Sequence, residues 1–253
     1  MSVLQTAAKV LRCFTRDRPV LTVTEAAELL AMPKSTASRL LRAMRDAGFL
    51  ELRADGRRYA PGVMMVEVAH LYAGGSRLFQ LADQAVRALV DRFGHTGYVS
   101  TRDGTEVIGL SHHPGRNALR VVNTIGSRLA ADASATGRAL LARLADREIR
   151  ALFPGRLAPP SPTSPQDFDE LLARIAQVRR TGHAESRDES NRGVGALAVA
   201  VGDPRTGEAL ALCIAYPDSI IERLERTEMA DAMLAEAARI AAEIGDVSWA
   251  RAS

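Results

Sequence analysis

Apolar residues recur three and four positions apart through much of this 253-residue chain, and the breaks in that rhythm divide it into elements. Leu4, Ala7, Ala8 and Leu11 share one face of a helix predicted over 2–14, with Arg16-Asp17-Arg18-Pro19 as its exit. Thr22 and Glu25 have the spacing of a capping box, so a short second helix opens there. Its stripe of Ala26, Leu29 and Leu30 is expected to pack on the next helix, with small Ala27 and Ala31 where two helices joined by a tight turn crowd each other. Pro33 suits the first position of the third helix. That helix carries Ala37, Leu40, Leu41 and Met44 on one side and ends near Ala47, because Gly48 is a good C-cap. Two helices about a tight turn form a helix-turn-helix pattern.

The period then changes from helical to alternating. Residues 49–53 and 57–61 read as two strands around Ala54-Asp55-Gly56, a hairpin whose tip carries Arg53, Arg57 and Arg58. A basic-tipped hairpin directly after the third helix makes a winged helix. Pro61-Gly62 ends it, residues 63–73 form a short apolar helix, and Gly74-Gly75 read as a flexible joint between domains. Beyond the joint, an amphipathic helix over 77–93 is followed by strands over 96–101, 106–111 and 119–124. A Pro- and Ser-rich loop covers 154–165, a helix follows through Phe168, Leu171, Leu172, Ile175 and Val178, strands cover 196–201 and 208–215, and a closing helix covers 220–244. The fold class is α+β: a winged helix-turn-helix over 1–62, a linker helix and joint over 63–75, and an α/β domain over 76–253 with its helices gathered on one side of the strands.

Charge changes what the first domain is for. Residues 1–62 hold 11 Lys and Arg against 6 Asp and Glu, whereas the rest holds 22 against 24. A basic module joined to a larger, slightly acidic one fits a reader of double-stranded DNA with a separate sensing or assembly domain. The polar side of the third helix then faces a major groove. Ser35, Thr36 and Arg39 are positioned to reach base edges, Ser38 lies on the same face, and Lys34, Arg42, Arg45, Arg53, Arg57 and Arg58 suit phosphates. With 47% hydrophobic residues and two distant cysteines, Cys13 and Cys213, the chain is expected to be globular and cytoplasmic. Neither a signal peptide nor a membrane span is expected.

Other chemistries lack support. Ser134 is not in a nucleophile elbow and has no histidine placed as its base. His112-His113 point to opposite faces of a strand without a third ligand, and Gly193-Val194-Gly195 precedes a strand, not a helix. No cofactor, metal or catalytic residue is expected. An architectural DNA-binding protein without a ligand is the main alternative, and an enzyme fused to a DNA-binding module the remoter one.

Several segments resemble one family. Val23-Thr24-Glu25-Ala26-Ala27-Glu28-Leu29-Leu30, Pro33-Lys34-Ser35-Thr36, Leu40-Leu41 and Gly48-Phe49-Leu50 are similar to the winged helix of the isocitrate-lyase-regulator (IclR) family of bacterial transcription factors. Gly126-Ser127-Arg128-Leu129, Ala135-Thr136-Gly137-Arg138-Ala139-Leu140-Leu141-Ala142 and Asn191-Arg192-Gly193-Val194-Gly195-Ala196-Leu197-Ala198-Val199 resemble its effector domain. Ala31 departs from the glycine that such turns often carry. The resemblance implies a GAF-like effector-binding domain and a regulator, repressor or activator, of a catabolic operon. A symmetric homodimer or homotetramer is expected.

Ser134 is a natural N-cap for a helix continuing to about Ala145. The first amides of that helix, near Ala135, Thr136 and Gly137, lack intrahelical acceptors and suit a carboxylate or another electron-rich group. The resemblance implies that this segment lines the effector pocket, with Ser186, Asp188, Ala196, Cys213 and Ala215 opposite. Ser186 stands where some members have an acidic residue, and Ala196 and Ala215 are smaller and less polar than usual. An aromatic or branched organic acid, or an amide-like analogue, is therefore the expected effector.

Overall fold

The computed structural model describes residues 2–15, 17–116, 125–219 and 221–248, with only the backbone of Ala73. The strand expected over 119–124 lies outside the described residues. The chain forms two compact units, Met1–Ser76 and Arg77–Ser253.

In the first unit α1 (Val3–Arg12) is capped by Ser2. Strand β1 (Leu21–Thr22) leads into α2 (Val23–Leu29), whose entry is the capping box: the Thr22 hydroxyl accepts from the Glu25 amide and the Glu25 carboxylate accepts from the Thr22 amide. Helix α3 (Lys34–Asp46) begins one residue after Pro33, which occupies the cap position, and Gly48 follows its end at φ +82°. Strands β2 (Leu50–Leu52) and β3 (Arg58–Pro61) form the hairpin. The two-residue β1 pairs with β3 to complete a three-stranded sheet that the sequence pattern did not show. Val10, Ala26, Leu41, Met44, Leu50 and Tyr59 make the core. Leu29, expected inside, is 45% exposed, and Ala27 takes the buried place beside Ala26. Ala31 is exposed, and it adopts φ +49° in the turn. What this position demands is a left-handed backbone, not a small side chain under crowding.

Helix α4 (Val63–Gly75) corrects the expected joint. It runs through Gly74 and Gly75, and the helical conformation stops at Ser76. Glycine costs a helix only about 1 kcal/mol per residue, which does not end one already eleven residues long.

The second unit opens with α5 (Arg77–Phe93) and continues through β4 (Thr96–Asp103), β5 (Glu106–His113), β6 (Arg128–Ala130), α6 (Ala135–Leu141) and α7 (Asp146–Leu152). Helix α8 (Phe168–Thr181), β7 (Ala184–Arg187), β8 (Val194–Asp203), β9 (Glu208–Pro217) and α9 (Arg223–Ile244) complete it. The expected helix from Ser134 to Ala145 is thus cut short at Leu141, and β6, α7 and β7 are additional. Six antiparallel strands lie in the order β6-β5-β4-β9-β8-β7.

Helices cover both faces of this sheet, not one. Helices α5 and α9 pack on the face carrying Val99, Leu197, Val199, Val201, Leu212 and Ile214. Helices α6, α7 and α8 pack on the face carrying Ala198, Ala200, Ala211, Cys213 and Ala215. The strand 194–203 is buried almost throughout because it is apolar on both sides. Bulky residues fill one face and alanines the other.

Candidate functional site

The polar face of α3 stands outside the first unit. Lys34, Ser35, Arg39 and Arg42 are exposed, while Thr36, Ser38 and Arg45 are half-buried. Opposite them, Ala37, Leu41 and Met44 are buried. Spacing at 35, 39 and 42 aligns Ser35 with the two arginines along one side. Three of the basic candidates already hold acidic neighbours: Arg45 pairs with Asp46 at 2.6 Å, Arg53 with Glu51 at 2.9 Å, and Arg58 with Asp55 at 2.5 Å. Asp55 also accepts the amides of Arg57 and Arg58, and these bonds with the Arg58 guanidinium hold its carboxyl down to about 2. Arg58 therefore braces the turn that carries Gly56 at φ +67°. The side chains of Lys34, Arg39, Arg42 and Arg57 have no partner among the described residues.

In the second unit a recess lies between α6 and the small-residue face of the sheet. Of the expected residues, Ser134, Ala135, Thr136, Ser186, Ala196, Cys213 and Ala215 line it. Ser134 caps α6 by accepting from the Gly137 amide at 3.1 Å and donates to the Ala130 carbonyl at 2.9 Å. The amides of Ala135 and Thr136 have no partner among the described residues. Burial pushes the Cys213 thiol up to about 11, and it interacts with the Thr136 side chain.

Two expected residues do not line the recess. Gly137 has its amide spent on Ser134, and a Cβ there would lie 2.1 Å from the Ala131 carbonyl oxygen, so this glycine serves close backbone packing. Asp188 adopts φ +55° and turns its carboxylate onto the Gly193 amide, closing its own loop.

The sequence reading missed a second set of lining groups: Tyr98, Ser100, Ser127, Ser190 and Asn191. Alternation does place Tyr98 and Ser100 on one side of a strand, but only long-range pairing shows which side faces α6. Among the described residues, no charged side chain lines the recess. Just behind it, Arg138 of α6 is 1% exposed and is bound to Glu189 and to the carbonyls of Asp132 and Glu185. The two expected histidines do diverge: His112 stacks on Tyr98, and His113 bonds Asp83 at 2.7 Å. No metal-ligand cluster occurs among the described residues, and none of their helices is long and apolar enough to cross a membrane.

A winged helix-turn-helix joined in one chain to a separate α/β domain is the layout of a transcriptional regulator with a sensing domain. Residues 3–54 match the IclR helix-turn-helix domain, and residues 70–242 match the bacterial transcriptional regulator IclR C-terminal domain. The chain belongs to the IclR family of bacterial transcriptional regulators. It is 27% identical over 229 residues to the HTH-type transcriptional regulator XynR of Escherichia coli (strain K12), covering 90% of each chain. The IclR transcriptional regulator from Alicyclobacillus acidocaldarius is similar in structure, with a TM-score of 0.84, 25% identity and coverage of 95% of this chain and 97% of that one. An IclR homolog from Microbacterium hydrocarbonoxydans, complexed with 4-hydroxybenzoate, has a TM-score of 0.81 at 23% identity, with 100% of each chain covered.

Proposed function

We propose that the protein is a cytoplasmic, ligand-responsive regulator of a catabolic operon that binds operator DNA as a symmetric oligomer. Residues 1–62 read the operator, 63–75 link, and 76–253 sense the effector. Ser35, Thr36 and Arg39 read bases; Lys34, Arg42 and Arg57 hold phosphates. Assembly is supported by exposed apolar side chains on the first unit: Val3 and Leu4 on α1, and Val63, Val66, Val68 and Leu71 on α4. A second copy of the chain would cover them, and paired winged helices would meet the two half-sites of a palindromic operator.

The effector reading rests on one observation, the uncharged, hydroxyl-lined recess with alanines at its back. A multiply charged ligand would lose its hydration there without gaining a counter-charge, a cost of several kcal/mol per ion. A single carboxylate can be met by the Ala135 and Thr136 amides and by serine hydroxyls, and an aromatic or branched body can lie against Ala196 and Ala215. A neutral amide fits the same donors. The 4-hydroxybenzoate held by the Microbacterium relative is an aromatic acid of this kind. Effector binding would favour one arrangement of the subunits and so alter the spacing of the winged helices.

Calorimetry with benzoates, branched-chain acids, their amides and short dicarboxylic acids tests the ligand class. Gel shift on DNA flanking the protein's own gene then tests each binder. Aromatic or branched monoacids or amides should bind and change the shift. Binding confined to dicarboxylic acids would overturn the assignment.

A further inference from the structure

The loop 188–193 between β7 and β8, Asp-Glu-Ser-Asn-Arg-Gly, has no apolar side chain. Nothing hydrophobic can hold it against the domain. Its one buried residue is Glu189, whose carboxylate is 4% exposed. One oxygen of Glu189 accepts from Arg138 at 2.5 Å; the other accepts from Arg138 at 2.9 Å and from Arg174 of α8 at 3.0 Å. Arg174 is held in turn by Glu170. Three lighter contacts assist: the Ser190 hydroxyl donates to the Ala133 carbonyl at 2.6 Å, the Thr163 hydroxyl donates to the Asp188 carbonyl at 2.8 Å, and the Asp218 amide donates to the Gly193 carbonyl at 3.0 Å, at the loop's C-terminal hinge.

This loop is also a partition. Ser190 and Asn191, directly after Glu189, line the recess beside α6. On the other side of Glu189 lies a second hollow, open to solvent, lined by Arg138, Arg174 and His183, and Ser186 borders both. A polar wall with space behind it, whose one buried side chain is a carboxylate and whose other ties are single hydrogen bonds, can leave its seat without breaking the hydrophobic core. Such local openings draw on far less free energy than global unfolding.

We propose that Glu189 is the positioning residue of the recess: gripped between Arg138 and Arg174, it seats the 188–193 loop as a lid, and release of that grip opens the path to the interior. Calling the interior the effector site rests on the function proposed above, so the experiment reports the lid without any effector.

Cys213 lies inside the recess and serves as the reporter. In full-length protein carrying Cys13→Ala, alkylation of Cys213 by iodoacetamide is followed by mass spectrometry across low urea concentrations. Labelling of the parent should be slow, since the thiol is buried and its pKa raised. Glu189→Gln should speed it by about tenfold or more, with no dependence on urea below the unfolding transition. Arg174→Met, which leaves the Arg138 contact in place, should give a smaller increase and covers the case in which Glu189→Gln fails to fold. Asp246→Asn makes the same carboxylate-to-amide change at a pair with Arg143, near the other end of α6, and should not raise urea-independent labelling. An unchanged rate in Arg174→Met and Glu189→Gln, or a rise that tracks urea as in Asp246→Asn, would overturn the lid. Failure of 4-hydroxybenzoate to slow labelling would count against the aromatic-acid reading and leave the lid result standing.

Discussion

On the winged helix Lys34, Arg39, Arg42 and Arg57 carry charges without a partner among the described residues, whereas the recess of the second unit is built from alanines, hydroxyls and amides, and Arg138 of α6 is already neutralised by Glu189. The first surface suits a long polyanion whose own charge supplies the attraction. The second suits a small, largely apolar molecule that must be desolvated. Long-range charge raises affinity for DNA of any sequence and is screened by salt, so selectivity has to come from a few base contacts. Inside the recess, shape decides, because dispersion and steric overlap act over fractions of an ångström.

Substitutions that exchange or remove these properties can break the comparison, and the largest effect belongs to backbone packing. Gly137→Val should destabilise the second unit by about 3 kcal/mol or more, since its Cβ would meet the Ala131 backbone, where nothing flexible can yield. Urea unfolding measures this, and a stable Gly137→Val protein would show that α6 seats differently. Ala215→Phe, by contrast, projects a side chain from the sheet into the recess. Calorimetry should find effector affinity reduced by about a hundredfold, with circular dichroism and operator binding unchanged.

Smaller effects sharpen the outer surface. Arg39→Ala should lower the preference for operator over random DNA by about 1 to 3 kcal/mol, while Arg57→Ala should weaken both equally and reduce the salt slope by about one. Equal loss on both DNAs for Arg39→Ala would remove it from base reading. Smallest of all, Ala31→Gly should stabilise the first unit by about 0.5 kcal/mol in thermal or urea unfolding, because the residue adopts φ +49°. A loss of stability would mean that the alanine methyl makes up the backbone cost.

Much of the first unit was legible because its determinants are local. The Thr22 and Glu25 capping box, the apolar face at Ala37, Leu41 and Met44, the stop at Gly48 and the Asp55-Gly56 turn each lie within a few residues of the element they control. The β1 strand was not legible, since two residues carry no period. In the second unit, strands of three and four residues at β6 and β7 escaped for the same reason. The helices on both faces were foreshadowed by the unbroken apolar run at 196–201, which no one-sided sheet requires. Ser134 to Thr136 could be marked as candidates from a cap and small side chains. Ser100 and Ser127 could not, because strand pairing and loop position bring them to the same wall. Arg138 and Glu189 are 51 residues apart, and a charge in a helical stretch reads as a solvated one until its partner is seen.

Alanine at 196, 198, 200, 211 and 215 gives the sheet an inner face from which side-chain volume has been withheld. The hollow is therefore a subtraction, not a separately built structure. Restoring a methylene or two at a position such as 196 or 215 reshapes it without disturbing strand pairing, since the backbone ladder does not depend on which small residue occupies the face. Descendants of this chain can thus change the chemical they answer to by single steps in volume, while the sheet, its outer helices and the DNA-reading surface are inherited intact.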